Sequence, residues 1–174
     1  TVSMMIQGIP FKEVMSTLTD GVKGAIPAVM LLALAYSVNA LSSQMGTANY
    51  IINMTEGLLT PHLLPAIIFL VSAVMAFATG SSWGTFAICM PIALPLAFNF
   101  TGGTLTILVI ASFAAVAGGG VFGDHCSPLS DTTVLSSTGA AADHIDHVKT
   151  QLPYALVCGA LAMAAYLVVG FCFV

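Results

Sequence analysis

The chain has 174 residues, 58% of them hydrophobic and 6% charged, with a formal net charge of −4. A soluble domain carries about 25% charged residues, and so sparse a set cannot cover a soluble surface; the composition is that of an integral membrane protein. Three lysines and no arginine exclude a basic nucleic-acid footprint. Cys89, Cys126, Cys158 and Cys172 fall in or beside apolar segments without paired spacing, so neither a disulfide framework nor a zinc site follows. They read as small, soft residues filling an embedded core.

Residues 3–24 predict a short interfacial helix, with Phe11, Val14, Met15 and Leu18 on one face and Lys12, Glu13, Asp20 and Lys23 off it. Residues 25–46 suffice for one span of about 20 residues, its second half studded with Ser37, Asn39, Ser42 and Ser43. Residues 47–62, with Glu56 and Pro61-His62, read as a loop or surface segment. An apolar stretch over 63–100 is interrupted once, by ATGSSWGTF at 78–86. Its two legs fit either a hairpin with a polar tip at membrane depth or two complete spans. A third span, 104–121, runs into Gly118–Gly120 and the polar string GDHCSPLSDTT, after which apolar helix resumes weakly to Ser137. After the linker TGAAADHIDHVKTQ, residues 152–174 form a last span. The whole is one all-α transmembrane domain over 1–174.

If lysines favour the cytoplasm, Lys12 and Lys23 place the start of the first span inside. A hairpin or a pair of spans over 63–100 then returns Lys149 to the same side. A single discontinuous span there would not.

Two apolar segments are thus broken by glycine and hydroxyl residues, at 79–85 and 123–133. Non-helical backbone inside a membrane survives only where protein or a water-filled cavity satisfies it. Paired broken helices with their ends facing the bilayer midplane point to the site of a secondary transporter. The hydroxyls of Thr79, Ser81, Ser82, Thr85, Ser127, Ser130 and Thr132, with free carbonyls at helix C-termini, are hard oxygen ligands suited to Na⁺. The same hydroxyls could equally cap helix ends while the glycines allow close packing.

A carboxylate at membrane depth costs about 2.5–3.5 kcal/mol on insertion scales, so Asp124 and Asp131 mark an ion or substrate path. Such a group holds H⁺ or Na⁺ but not both, the minimum machinery for exchange. Alternatively the pair caps helices in a polar vestibule. His125 is a candidate proton relay with Asp124, or hydrogen-bonds the loop. Asn39 either reaches the site from the first span or joins helices. Trp83, the sole tryptophan, either walls the cavity or packs against the opposite break.

In DHIDHVK (143–149), Asp143 and His147 are four apart and His144 and His147 three apart. That spacing allows a metal or pH-sensing cluster, or a solvated helix start whose acids suit the helix dipole. Enzymatic readings fail on the residues. The Gly-x-Gly-Asp motif of intramembrane aspartyl proteases is Val121-Phe122-Gly123-Asp124 here, with no Tyr-Asp partner. No phosphate-binding loop occurs.

The strings FATGSSWGTFAICMPIALPLA (77–97), GGGVFGDHCSPLSDTTVLSSTGAAADHIDHVKTQLPYAL (118–156) and LALAYSVNALSSQMGTANYI (32–51) resemble the NhaC-type Na⁺/H⁺ antiporter family, in its C-terminal half. The resemblance implies Na⁺/H⁺ exchange by alternating access, or, as in some members, Na⁺- or H⁺-coupled transport of a small organic anion or amino acid. It also implies the ion-transporter fold: two inverted repeats, each with a re-entrant hairpin and a discontinuous helix. Residues 63–100 would be the hairpin, with its tip at 79–85, and 104–138 the discontinuous helix, broken at 123–128. Binding roles fall on Asp124, Ser127, Asp131, Thr132, Thr79, Ser81, Ser82 and Thr85, with Na⁺ at Asp124 and Asp131. No cofactor is implied beyond the transported Na⁺ and H⁺.

The expected setting is the inner (plasma) membrane, crossed several times, with the lipid bilayer as partner. The family needs a second, N-terminal inverted repeat, and this chain, opening at Thr1, has room for one. It is therefore expected to be a piece of a longer transporter, silent alone unless a partner subunit supplies the other repeat; a homo-oligomer is also compatible. The absence of arginine favours an inorganic ion over a carboxylate cargo. Tyr36 stands where many relatives carry tryptophan. A non-transporting structural subunit, its aspartates stabilising assembly, is the third option.

Overall fold

The structure, a computed structural model, describes residues 10–45 and 60–174, and for part of the first helix and Thr138 the backbone alone. Among the described residues there are six helices and no strand: α1 Phe11–Gln44, α2 Leu64–Thr79, α3 Ser82–Phe100, α4 Ile107–Cys126, α5 Asp131–Gly139 and α6 His144–Phe173. α3, α4 and α6 have the length and apolar composition of membrane spans. α2 is as apolar but has only 16 residues, a rise of about 24 Å against a hydrocarbon core of about 30 Å.

Helix boundaries differ from the sequence expectation in two places. The segments 3–24 and 25–46 are joined, from Phe11 onward, in one uninterrupted helix ending at Gln44. Gly21 and Gly24 each weaken a helix by about 1 kcal/mol, too little to end one whose flanks both favour it. Residues 1–9 and 46–59, with the expected loop around Glu56, lie outside the described residues. The last helix starts at His144 rather than Leu152 because Asp143 caps it. The Asp143 Oδ1 accepts from the backbone N–H groups of Ile145 at 2.9 Å and Asp146 at 3.0 Å, satisfying donors that a helix start otherwise leaves bare. DHIDHVK is thus a solvated helix start, and among the described residues no three His, Cys, Asp or Glu side chains gather as a metal site.

Helix direction follows from the close contacts. Gly119 lies on the backbone of Phe69 and Ala73, and Gly123 on that of Ala73 and Phe77, so α2 and α4 run parallel. A Cβ at either glycine would collide with a carbonyl of α2; small residues let the two backbones approach. α3 returns antiparallel to both, packing Phe86 on Gly120 and bringing the Cys89 sulfur 3.6 Å from that of Met75. The core between them is Leu64, Ile68, Phe69, Leu96, Val109 and Val116. α6 runs antiparallel to α4 along the other side. Its Gly159 receives the ring of Phe122, and its Tyr166 packs on Phe69 with ring centroids 5.3 Å apart. At its far end His62 donates from Nδ1 to the Gly170 carbonyl at 2.9 Å and stacks on Phe171.

The outcome is a bundle with all its interruptions at one end. α2 and α4 finish there, α3 and α5 begin there, and α5 and the polar first turns of α6 continue beyond.

Candidate ion-binding site

Both interruptions are shorter than the sequence suggests. In the first, only Gly80 and Ser81 leave the helix; Ser82, Trp83, Gly84 and Thr85 already belong to the first turn of α3. Gly80 ends α2 at φ +65° and donates its N–H to the Ala76 carbonyl at 2.8 Å, the left-handed cap that glycine adopts at little cost. Ser81 starts α3, its Oγ accepting from the Gly84 N–H at 3.2 Å. In the second, the expected break at 123–128 falls instead on 127–130: Gly123, Asp124, His125 and Cys126 are helical. Gly118–Gly120 and Gly123 serve close packing rather than a break.

The two interruptions touch. A Cβ on Gly80 would stand 2.6 Å from the carbonyl carbon of Leu129. Ser127, fully buried, donates its hydroxyl to the Phe77 carbonyl at 2.7 Å and accepts from the Leu129 N–H at 3.1 Å. Phe77 belongs to the last turn of α2, whose carbonyls have no partner within the helix. Ser127 therefore closes the end of α2 and fastens the second interruption to the first.

Asp124 lies beneath this joint in the last turn of α4, only 8% exposed. Its Oδ2 accepts from the Ser82 hydroxyl at 2.9 Å, at the first residue of α3, where unpaired N–H groups and the positive end of the helix dipole lie. Its Oδ1 is buried with no hydrogen-bond partner. No basic residue compensates: among the described residues Lys23 pairs with Asp20 and Lys149 with Asp146, both on the exterior. A buried carboxylate oxygen left bare costs free energy unless a proton or a cation completes it.

The other expected site residues are placed as follows. Asp131 is exposed in the first turn of α5 and does not share the burial of Asp124. Ser130, fully buried, shares a hydrogen bond of 2.7 Å with Thr132. Thr79, exposed, back-bonds to the Met75 carbonyl at 2.8 Å, and Thr85, buried, to the Ser81 carbonyl at 3.0 Å. Trp83 is 56% exposed and rests edge-on against Phe86. His125 is exposed and turns its Nε2 to Gln151 on α6 rather than to Asp124. The same Gln151 amide nitrogen donates to the His125 carbonyl at 3.1 Å, which fixes the amide so that the ring nitrogen is the acceptor. The side chain of Asn39 lies outside the described residues.

Three residues of the joint, Thr133, Ser137 and Gln151, carried no functional signal in the sequence. Thr133 donates to the His125 carbonyl at 3.3 Å, and Gln151 is the second donor to it. His144, noted only for its spacing to His147, meets the Pro128 carbonyl at 2.9 Å through Nε2 and the buried Ser137 hydroxyl at 3.1 Å through Nδ1. None is detectable by local spacing, since each bond joins different helices or interruptions. Gln151 also gives the level of the site along α6: the polar segment 144–151 ends there and the apolar run begins at Leu152. The joint lies at the Lys149 end of the bundle, not at its middle.

The comparisons with known proteins agree on class and differ in cargo. Residues 1–171 match the model of the Na⁺/H⁺ antiporter family. The chain is 31% identical over 163 residues to the arginine/ornithine antiporter ArcD of Halobacterium salinarum, covering 94% of this chain and 33% of that protein. It is 28% identical over 167 residues to the malate-2H⁺/Na⁺-lactate antiporter of Bacillus subtilis (94% and 34%) and 26% identical over 162 residues to the Na⁺/H⁺ antiporter NhaC of Alkalihalophilus pseudofirmus (93% and 34%). The chain spans about a third of the length of these curated relatives. No solved structure gives a significant match. With its membrane-spanning helices and a family match over nearly its whole length, the chain is a membrane protein of a transporter family, not an enzyme, and it belongs to the Na⁺/H⁺ antiporter family.

Proposed function

We propose that this chain carries part of the ion site of a secondary antiporter of the inner (plasma) membrane, exchanging Na⁺ for H⁺ by alternating access. The observation that carries the reading is the bare, buried Oδ1 of Asp124. Protonated, Asp124 is a neutral acid compatible with its burial. Deprotonated, it needs a cation at Oδ1, and the Ser82 hydroxyl already stabilises the other oxygen. One oxygen that takes either a proton or Na⁺ couples the two by competition. The remaining oxygens of the cation shell come from the interruptions, from water, or from an inverted repeat on the rest of the protein or on a partner subunit.

A second reading has specific support: relatives are named for arginine/ornithine and for malate-2H⁺/Na⁺-lactate exchange. Here an amino acid or organic anion is the cargo, and Asp124 serves the coupling ion or a cargo ammonium group. The absence of any arginine in this chain favours the inorganic ion over an anion held by its side chains.

The test is Asp124→Asn in the complete protein, reconstituted in proteoliposomes with Na⁺, Li⁺, K⁺ and organic cargoes compared. Asparagine cannot lose a proton or balance a cation, so exchange falls at least about 100-fold, the equivalent of some 3 kcal/mol. Unchanged exchange with impaired assembly would instead support a purely structural role for the aspartate.

A further inference from the structure

We infer that His144, at the start of α6, is a positioning residue for the Asp124 site, acting through one hydrogen bond to the second interruption. The inference rests on the proposed role of Asp124 in binding the cation. Pro128 lies between Ser127, which is fastened to Phe77, and Leu129, whose backbone bears on Gly80. The carbonyl of Pro128 is held by His144 Nε2 at 2.9 Å. A carbonyl only accepts, so Nε2 carries a proton.

The other ring nitrogen has a partner as well. Nδ1 lies 3.1 Å from the Ser137 hydroxyl, which is buried and also 2.9 Å from the Val134 carbonyl. The imidazole thus ties three elements at one point: the interruption through Pro128, α5 through Ser137, and α6 through its own backbone. Asp143 fixes the ring's starting position by capping α6 at the residue before. Within the interruption the Ser127 carbonyl accepts from the Ser130 N–H at 3.4 Å and the Ser130 carbonyl from the Val134 N–H at 3.0 Å, whereas the Pro128 carbonyl takes its partner from outside. His144 supplies that partner, and the same segment bears on Gly80, two residues before Ser82, the donor to Asp124. Loosening Pro128 lets this joint drift, which weakens cation binding without removing any group that touches the ion.

The two nitrogens can be separated by substitution. Glutamine places its amide nitrogen near the position of Nε2 and keeps the donor to Pro128; asparagine is shorter and reproduces the Nδ1 side only. In the complete protein in proteoliposomes, with Na⁺ as the probe, His144→Asn and His144→Ala are expected to raise the KM for Na⁺ at least about fivefold with kcat within about twofold. His144→Gln is expected to stay within about twofold of the parent in both.

Equal KM values for the parent and His144→Asn, in a protein where Asp124→Asn abolishes exchange, would overturn the positioning role and leave the Asp124 reading standing. A fall in membrane-inserted protein or in kcat shared equally by the asparagine and glutamine variants would overturn it too, by showing only a folding role. Full exchange by Asp124→Asn, or no Na⁺-dependent flux from the parent, would overturn the reading of Asp124 on which the inference rests.

Discussion

Ser82 and Asp124 meet across 42 residues of sequence, and their bond decides what the carboxylate can do. A hydrogen bond to a charged group contributes about 1.5–3 kcal/mol, and here the donor belongs to α3 while the acceptor belongs to α4. Ser82→Ala removes the donor and leaves both carboxylate oxygens bare. The expected outcome is a rise in the KM for Na⁺ of about 10-fold to 100-fold, measured as Na⁺-driven proton flux in proteoliposomes, with Ser82→Thr retaining most of the parent affinity. An unchanged KM in Ser82→Ala would show that the hydroxyl does not support the ionised state. The aspartate itself was legible in the sequence, because a carboxylate in an apolar chain asks for an explanation. What the sequence could not show is which hydroxyl meets it. Seven hydroxyl residues flanked the breaks as equivalent oxygen ligands, yet Ser127 and Thr85 already donate to backbone carbonyls, and only Ser82 reaches the carboxylate.

At the scale of elements, the joint depends on two helix ends fitting face to face. Gly80 meets two requirements at once: its φ of +65° and the backbone of Leu129 within 2.6 Å of where a Cβ would stand. A left-handed conformation costs a non-glycine residue about 1–2 kcal/mol, before any displacement of the second interruption. Gly80→Ala is therefore expected to lower the thermal unfolding temperature in detergent and to reduce exchange, whereas Gly21→Ala in α1, with open space around it, leaves exchange nearly unchanged and the unfolding temperature equal or higher. Equal stability of the two variants would show that the interruptions do not bear on one another. The two broken segments were recognisable from glycine and hydroxyl clusters, but their limits were not. Glycine serves both a chain break and a close helix contact, and Gly123 does the second by packing on Ala73. Only the opposing helix distinguishes the two uses. The start of α6 was open for a related reason: the polar residues 143–149 read as a metal or pH-sensing cluster or as a solvated helix start, and the Asp143 cap decides for the helix start.

For the whole molecule the question is how complete the site can be within one chain. Asp124 and Ser82 supply two oxygens, and hard cations of the Mg²⁺ and Ca²⁺ kind take about six to eight. Most side-chain and carbonyl oxygens nearby are engaged: Phe77 by Ser127, His125 by Thr133 and Gln151, Pro128 by His144. The joint also lies at one end of the bundle, level with the start of the apolar run of α6. Family relatives are about three times as long, enough for a second repeat to supply both the missing ligands and the moving partner. Residues 1–174 alone in proteoliposomes are accordingly expected to show no Na⁺-dependent proton flux above protein-free vesicles, and co-expression with the remainder of the transporter to restore it. Robust flux from monomeric 1–174 would mean that the two interruptions form a complete site, and that the alternation of access lies within α2–α6 rather than between this chain and a second repeat.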